Sequence, residues 1–389
     1  MLSKACKMLF ILLAGVFLGS CQGKDAPVEI ISVEPGFQEV EAGQSFVDLT
    51  VKANARWTLT MDQTWLEPGR TSGNGDATVS VHVFENKSTE PREAVLTFTT
   101  AGGAKATFTL SQKGKEGVEP EGTVLRLGTY NLRMHQLDKE GDNAWDVRKG
   151  RLKSSILACD FDVFGIQEVS SVMQTWLNSE LTSRYAFKYF SPYSQNGNGD
   201  RAQGIAYKKD AFTLSEWHFF WASDTPDTMT ENDTGSEGNF KRGGCCCVLT
   251  HKASGKKIFF MNNHGCLNAE SNKAHASAYV TQEKRFNAAG LPSFFVGDMN
   301  ARESAEAGSV YMTYTAWWQD PFKVIPSASR QGPAATYNGY ASPNGRYRLD
   351  YVFFRGEGVT PRFYCCDNTL YGGLYASDHF PVWVEYSIQ

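Results

Sequence analysis

Phe294-Phe295-Val296-Gly297-Asp298-Met299-Asn300 is a short apolar run that stops at a glycine and then presents a carboxylate and a carboxamide two residues apart. The run is too short for a globular helix and rich in strand-favouring residues, so it reads as a buried strand whose end has become a chemical site. If the extended conformation persists, period-two alternation places Asp298 and Asn300 on the same side. One group can move a proton and the other can donate to an oxyanion. The competing reading of Gly-Asp-x-Asn is an ordinary strand that ends in an Asx turn. The rest of the chain decides between the two.

The same construction recurs. Val124 to Asn131 alternates so that Leu125, Leu127, Thr129 and Asn131 share one side. Residues 143 to 159 read as a helix, with Leu152, Ile156 and Cys159 at helical spacing and Arg148, Lys149, Arg151 and Lys153 on other, solvated faces. A second apolar run, Phe161 to Ile166, ends in Gln167-Glu168, and a third, Ile258 to Met261, ends in Asn262-Asn263-His264. Tyr347 to Phe354 embeds Asp350 in a strand, where an unpaired carboxylate would be costly. Ser377-Asp378-His379-Phe380-Pro381-Val382 supplies a further acid and the expected partner of Asp350. Each motif alone has a structural reading, but their joint occurrence in a chain with 7 histidines argues for one site.

At 389 residues and 41% hydrophobic content the chain is long enough for two domains with sizeable cores. A formal net charge of -4 gives no polybasic footprint for long nucleic acid. Lys4 and Lys7 precede an apolar run, Met8 to Leu18, that is too short to span a bilayer and reads as an export signal over residues 1–20. It closes on Leu18-Gly19-Ser20-Cys21, which resembles a bacterial lipobox. That resemblance implies cleavage before Cys21, diacylglycerol on its thiol, a tether over 21–27, and an outer-membrane lipoprotein facing the periplasm or cell surface. Cys159, Cys245, Cys246, Cys247, Cys266, Cys365 and Cys366 form an odd set, read as small buried apolar residues rather than metal ligands.

From about residue 28 to 114 brief alternating segments separated by turns suggest a small all-β sandwich. Ala55-Arg56-Trp57, Trp65-Leu66, Ser72-Gly73-Asn74-Gly75, Asn86, Arg92 and the closing Leu110-Ser111-Gln112 together resemble a BACON domain, the immunoglobulin-like module common in exported Bacteroidetes proteins. The resemblance implies contact with a glycan or mucin, whereas Trp57 and Trp65 read as core residues and the unit as a spacer. A polar, Pro- and Gly-bearing stretch at 115–122 marks the linker, and its composition predicts that residues 123–389 fold and work as a unit of their own.

The order Tyr-Asn, Gln-Glu, Asn-x-His, Gly-Asp-x-Asn, Leu-Asp-Tyr-Val and Ser-Asp-His-Phe-Pro-Val resembles the endonuclease/exonuclease/phosphatase superfamily, from about Thr123 to the C-terminus. What this implies is an α/β four-layer sandwich, two packed mixed β-sheets flanked by helices, and a monomeric hydrolase of phosphoesters that uses Mg²⁺, or else Mn²⁺. Carried over by residue, Glu168 is the principal metal ligand, with Asn131 beside it and Asp378 completing the acidic cluster. Asp298 would orient or deprotonate the attacking water, Asn300 and His264 would donate to phosphoryl oxygens, and His379, kept cationic by Asp350, would stabilise the crowded equatorial oxygens. The chain departs from the family in having Asn263 before His264, Gly265-Cys266 after it, and Ala202 where deoxyribonuclease-like members place a glutamate. The resemblance favours a phosphodiester substrate, with a nuclease, a sphingomyelinase-like lipid phosphodiesterase and an inactive glycan-binding lipoprotein as alternatives. A nuclease would line a groove with Arg148, Arg201, Lys241, Arg242, Arg346 and Arg348.

Overall fold

The computed structural model describes residues 28–115, 122–191, 201–229, 233–236 and 238–389. The leader, Cys21, the tether through residue 27 and residues 116–121 of the linker lie outside the described residues.

Near the N-terminus, a four-stranded sheet (Ile31–Glu34, Ser45–Ala53, Ala77–Val83, Leu66–Pro68) faces a five-stranded one built from Phe37–Val40, Lys105–Gln112, Arg92–Thr100, Arg56–Met61 and Ser72–Asn74. Alternation does the sorting. In Ser45–Ala53 the residues Val47, Leu49 and Val51 are buried while their neighbours face out, and Leu96, Phe98, Phe108 and Leu110 meet them from the other sheet. Each such side chain stabilises the unit by about 1.5–3 kcal/mol when fully buried. Trp57 belongs to this core and donates its indole N–H to the Gly75 carbonyl, so it offers no surface to a sugar. Trp65 is partly buried, with Arg92 4.3 Å above its ring.

The larger part is the expected four-layer sandwich. Its seven-stranded sheet runs, edge to edge, Tyr185–Phe190, Ala202–Lys208, Val163–Val169, Thr123–Asn131, Val382–Ile388, Val359–Cys366 and Arg330–Gln331. The five-stranded sheet runs Phe212–Trp221, Gly243–His251, Lys257–His264, Ser293–Asp298 and Asp350–Arg355. Both are mixed. Between them lie Leu125, Leu127, Val163, Phe260, Phe294, Val296, Val352 and Val384, the inward-facing residues of the runs read from sequence. Helices Trp145–Cys159 and Ser171–Glu180 cover the first sheet, and Ala269–Phe286 with Val310–Thr315 cover the second. The helix expected over 143–159 begins at Trp145, because Ala144 closes a turn on the Gly141 carbonyl. Within Gly243–His251, Cys245 and Cys247 face the space between the sheets and Cys246 faces the outer helices; all are buried and free.

Strand direction makes the site. Thr123–Asn131 runs parallel to Val163–Val169, and Lys257–His264 parallel to Ser293–Asp298, so all four polar tips emerge at one end. Asp350 starts an antiparallel strand directly opposite Asp298 and joins them. At the other end the small sandwich is fastened to the large one. Arg126 is paired there with Glu385 at 2.9 Å and with Glu85 of the small unit, while Lys87 reaches Asp160 at 3.8 Å and Asp162 at 4.0 Å. Arg184 also lies 5.0 Å over the ring of Phe84. The unit is bolted by the buried Arg126 group, with the half-exposed Lys87 at its rim, which is more than a spacer on a string requires.

Candidate functional site

Glu168 is placed by a defect in its strand. The register against Ala202–Lys208 shifts between Ile166 and Val169, and Glu168 itself takes a left-handed backbone, φ 60°. Such bulges re-aim side chains at sheet ends. Its Oε2 accepts the Met134 N–H at 3.0 Å and its Oε1 the Asn131 carboxamide at 3.3 Å. Asn131 also donates to Asp298 Oδ2 at 3.0 Å, so one carboxamide ties the tips of both sheets together. Beneath them Gln167 donates to Asn262 at 2.7 Å and to Thr129 at 2.9 Å, and Asn262 donates to the Ile166 and Gly204 carbonyls. Gly165 permits this close seam: a Cβ there would stand 2.4 Å from Asn262 Oδ1.

Asp298 receives the Asn300 N–H on Oδ1 at 2.9 Å, and Asn300 has φ 45°. The extended conformation therefore does not persist, which corrects the expectation that Asp298 and Asn300 share a side by alternation. An Asx turn takes its place, and both readings of Gly-Asp-x-Asn hold at once. The Asn300 carboxamide donates to the Gly265 carbonyl at 3.1 Å, which spends one of its two N–H groups.

His264 Nε2 lies 3.6 Å and His379 Nε2 3.8 Å from Asp298 Oδ2. The expected pairing of Asp350 is present, with His379 Nδ1 2.8 Å from Asp350 Oδ2. The Thr336 hydroxyl donates to the same oxygen while accepting the N–H groups of Leu349 and Asp350 at 3.0 Å each. Asp378 is buried beside Arg133, with Nη1 3.2 Å from Oδ2, and Ser377 Oγ donates to the Asn131 carbonyl at 2.7 Å. All eight residues singled out from sequence thus lie at the same end of the sheets. Thr336, Arg133 and the Gln167–Asn262 seam were not among them. Arg133 alone had a local signal, its place two residues past Asn131.

Four of the cations expected at the surface are buried. Arg148 is fully buried rather than solvated, donating to the carbonyls of Leu132 at 2.9 Å, Ala376 at 3.2 Å and Arg133. Arg348 is buried in a bidentate pair with Asp320 at 2.8 and 2.6 Å. Lys241 and Arg242 are buried too, so only Arg201 and Arg346 of the six candidate groove cations keep substantial exposure.

The electrostatics divide the acids. Burial raises the Glu168 carboxyl, but the Met134 N–H and the charges of Arg133 and Arg201, joined by His264 only in its protonated form, outweigh it and hold it below the ordinary carboxylate range. Burial pushes Asp298 up to about 7, with the Asp350 charge adding to it and His379 opposing. Burial also raises Asp378, helped by the Glu168 charge. For His379 burial is overcome by Asp350 and Asp298, and the imidazole is held well above its ordinary value. His264 goes the other way: burial, then Arg242 and Arg201, push it well below. One histidine is a fixed cation and the other a neutral donor. Where the deoxyribonuclease-like pattern has a glutamate to charge this histidine, Ala202 offers nothing, and the nearby guanidiniums act against protonation.

A hard divalent cation fits the donor set. Glu168 and Asp378 offer oxygen only, the Asn131 oxygen accepts the Arg133 N–H while its NH2 faces Glu168 and Asp298, and a positive ion beside the Glu168 charge would relieve the raised proton affinity of the buried Asp378. Asp298, Asp350 and His379 also bring ligand atoms within 4.8 Å of one another. In that group Asp350 Oδ2 already serves His379 and Thr336 and the imidazole is cationic, while Asp350 Oδ1 is buried without a hydrogen-bond partner.

Residues 128–379 match the sequence model of the endonuclease/exonuclease/phosphatase family. The chain belongs to that family. Members of the family hydrolyse phosphoester bonds and depend on divalent metal, and this chain is a hydrolase of phosphoester bonds. Residues 55–113 match the model of BACON, a putative N-terminal binding domain. No curated protein sequence matches the chain. Among solved structures, a family member from Bacteroides vulgatus is 21% identical with a TM-score of 0.60, covering 69% of this chain and 100% of its own. A mannosyl-6-phosphatase of Bacteroides thetaiotaomicron is 21% identical with a TM-score of 0.58, covering 68% and 100%. The catalytic domain of human Nocturnin, with a bound sulfate, is 19% identical with a TM-score of 0.54, covering 68% and 95%. At such identities the likeness is one of fold.

Proposed function

We propose that this chain is an exported, membrane-anchored phosphoesterase in which Asp298 takes the proton from a water attacking phosphorus in line with the leaving oxygen. The observation that carries the reading is the juxtaposition of Asp298, pushed up to about 7, with the cationic His379 and with the Glu168–Asn131–Asp378 oxygen cluster. A general base whose proton affinity lies near neutral pH is well matched to water activation. Glu168, Asn131 and Asp378 would hold the ion, Mg²⁺ first and Mn²⁺ second. When bound, a divalent cation neutralises charge on phosphoryl and leaving oxygens.

The chain's own groups do the rest. Asp298 accepts one proton as the water oxygen bonds to phosphorus, and the bond to the leaving oxygen breaks with its electron pair. His379, aimed by Asp350, meets the negative charge on the equatorial oxygens. Neutral His264 and the free N–H of Asn300 donate hydrogen bonds there without giving up a proton.

The nuclease alternative is disfavoured by the burial of Arg148, Lys241, Arg242 and Arg348, which removes most of the cations that would track a phosphate backbone. Export and anchoring rest on the lipobox-like Leu18-Gly19-Ser20-Cys21. Cys21→Ala should move the protein from the membrane to the soluble fraction, because loss of the diacylglycerol removes most membrane affinity. Unchanged retention would remove the anchor from this reading. A metal-dependent activity panel over bis-p-nitrophenyl phosphate, p-nitrophenyl phosphate, DNA, RNA, sphingomyelin and sugar phosphates tests the chemistry. Turnover that Mg²⁺ or Mn²⁺ supports and a chelator abolishes is expected; no turnover on any of them overturns the proposal.

A further inference from the structure

Arg133 stands at the mouth of the site in a conformation that the fold maintains without help from its side chain. Its backbone is left-handed, φ 55°, which an L-residue adopts reluctantly. The main chain around it is fully braced. The Arg133 N–H donates to Asn131 Oδ1 at 3.0 Å, its carbonyl accepts from Arg148, and the next N–H, of Met134, donates to Glu168. Arg148, completely buried, supplies the structural cation that such a turn calls for. The Arg133 guanidinium is a second one, and it keeps about a quarter of its surface in solvent.

That guanidinium is aimed with care. Nε and Nη2 form a two-pronged contact with Asp138 at 3.0 and 3.3 Å, and the Tyr340 hydroxyl donates to the same carboxylate at 3.4 Å. Tyr340 is itself fixed, its N–H donating to Asn338 Oδ1 at 2.6 Å. With one edge committed to Asp138, the third nitrogen, Nη1, points at Asp378 Oδ2 3.2 Å away. Asp378 belongs to the oxygen cluster assigned to the cation, so this contact is one that the loaded site weakens. The nitrogen then faces the phosphate position with its edge pre-oriented by the Asp138 pair.

The number of phosphate oxygens decides what this charge is for. A phosphodiester has two terminal oxygens, and the ion with His379 and the donors His264 and Asn300 already accounts for them. A phosphomonoester has a third terminal oxygen and, near neutral pH, a second negative charge. Only the monoester offers the uncommitted Nη1 a further terminal oxygen. We propose that Arg133 is a specificity-determining residue that binds a terminal oxygen of the substrate phosphate and selects phosphomonoesters over phosphodiesters; the proposal rests on the phosphoesterase reading above. It replaces the phosphodiester preference expected from the sequence.

The test compares p-nitrophenyl phosphate with bis-p-nitrophenyl phosphate, which share a leaving group, at saturating Mg²⁺ for the wild type, Arg133→Met and Arg133→Lys. The wild type should favour the monoester. Arg133→Met should lower kcat/KM on the monoester by about 10- to 100-fold, the range of one charge-assisted hydrogen bond, with a loss on the diester at least about tenfold smaller. Arg133→Lys should recover part of the monoester activity only. Mn²⁺ binding to the substrate-free protein, read by electron paramagnetic resonance, should be as tight or tighter in Arg133→Met, because Asp378 loses a competitor. Equal losses on both esters, a wild type that prefers the diester, or weakened Mn²⁺ binding in Arg133→Met would each overturn the assignment. A wild type without metal-dependent turnover on either ester overturns the phosphoesterase reading, and Arg133 selectivity with it.

Discussion

His379 is clamped between two carboxylates, with Nδ1 2.8 Å from Asp350 Oδ2 and Nε2 3.8 Å from Asp298 Oδ2. The inner acid is completely buried and receives Thr336 as well, so it orients the ring instead of exchanging protons with substrate. Asp350→Asn should keep the shape of this pair and lose its charge. Turnover is expected to fall by roughly 10²- to 10⁴-fold at saturating metal. Linkage gives a second readout. Because the folded state holds the His379 proton more tightly than the unfolded chain, its contribution to stability is complete below the ordinary imidazole range and is lost as pH rises through the folded value. The melting temperature of the wild type should therefore decline on alkalinisation, and Asp350→Asn should flatten that decline.

Asp298 sets the pH dependence of activity. Its carboxyl is pushed up to about 7, by burial first, and only the ionised form can take a proton from water. The profile of kcat/KM should rise from acid and level off above about pH 7, the limb belonging to the Asp298–His379 pair as a unit. Asp298→Asn should lower turnover by roughly 10²- to 10⁴-fold, and added metal should not restore it. Stability runs in the opposite sense: a raised carboxyl contributes most below its unfolded value near 4 and least above 7. At pH 8 Asp298→Asn should thus melt no lower than the wild type. A variant that loses activity only in proportion to a falling melting temperature would make Asp298 a structural residue.

Much of this was legible because it follows periodicity. Apolar runs that end in polar residues give the two sheets, and the sheets' parallel pairs bring the ends of those runs to one place. Asp298 and Asn300 show where that logic stops. Alternation presumes an extended backbone, and Asn300 leaves it for a left-handed Asx turn. Glu168 likewise reaches its place through a bulge, which no hydrophobic pattern encodes. Thr336 lies in a polar loop between strands and is recognised only once Asp350 is seen to need a second donor. Arg148 misled for the converse reason, since helical spacing says which face is apolar but not that an arginine on another face is turned onto buried carbonyls.

The seam between the two sandwiches lies at the end of the sheets opposite the site, which separates stability from catalysis. Removing residues before 122 would leave Arg126 and Glu385 without Glu85, and Asp160 and Asp162 without Lys87. Arg126 keeps Glu385, and both regain water once the small sandwich is gone, so the lost ionic contacts cost only about 1–2 kcal/mol, and the half-exposed Lys87 adds little. For a unit of this size that is a drop of roughly 2–8 °C in melting temperature. Turnover on a small soluble ester should stay within about threefold of the intact chain, as none of the eight site residues touches the seam. Calorimetry and kinetics on a chain starting at residue 122 check both parts. A fragment that melts normally but is inactive would place the small sandwich in the catalytic apparatus.

Glu168 separates metal binding from proton transfer. Its carboxyl is held below the ordinary carboxylate range, so it stays anionic throughout the range in which Asp298 titrates, and metal affinity should owe no pH dependence to it between about pH 5 and 9. Glu168→Gln keeps one of the two hydrogen bonds, since its carboxamide oxygen can still accept the Met134 N–H while its NH2 replaces the oxygen that accepted from Asn131, and a glutamine is no more strained than a glutamate at φ 60°. What it removes is one negative charge from the oxygen cluster. The Mg²⁺ concentration for half-maximal activity should rise at least about tenfold, given that changes in merely supporting groups cost roughly 10- to 100-fold in affinity. Excess metal should recover much of the turnover, which sets this variant apart from Asp298→Asn and Asp350→Asn. Direct Mn²⁺ titration by calorimetry should show the same weakening without substrate. Wild-type metal affinity in a well-folded Glu168→Gln would mean that the ion sits elsewhere, and the Asp298–Asp350–His379 group would then be the one to test.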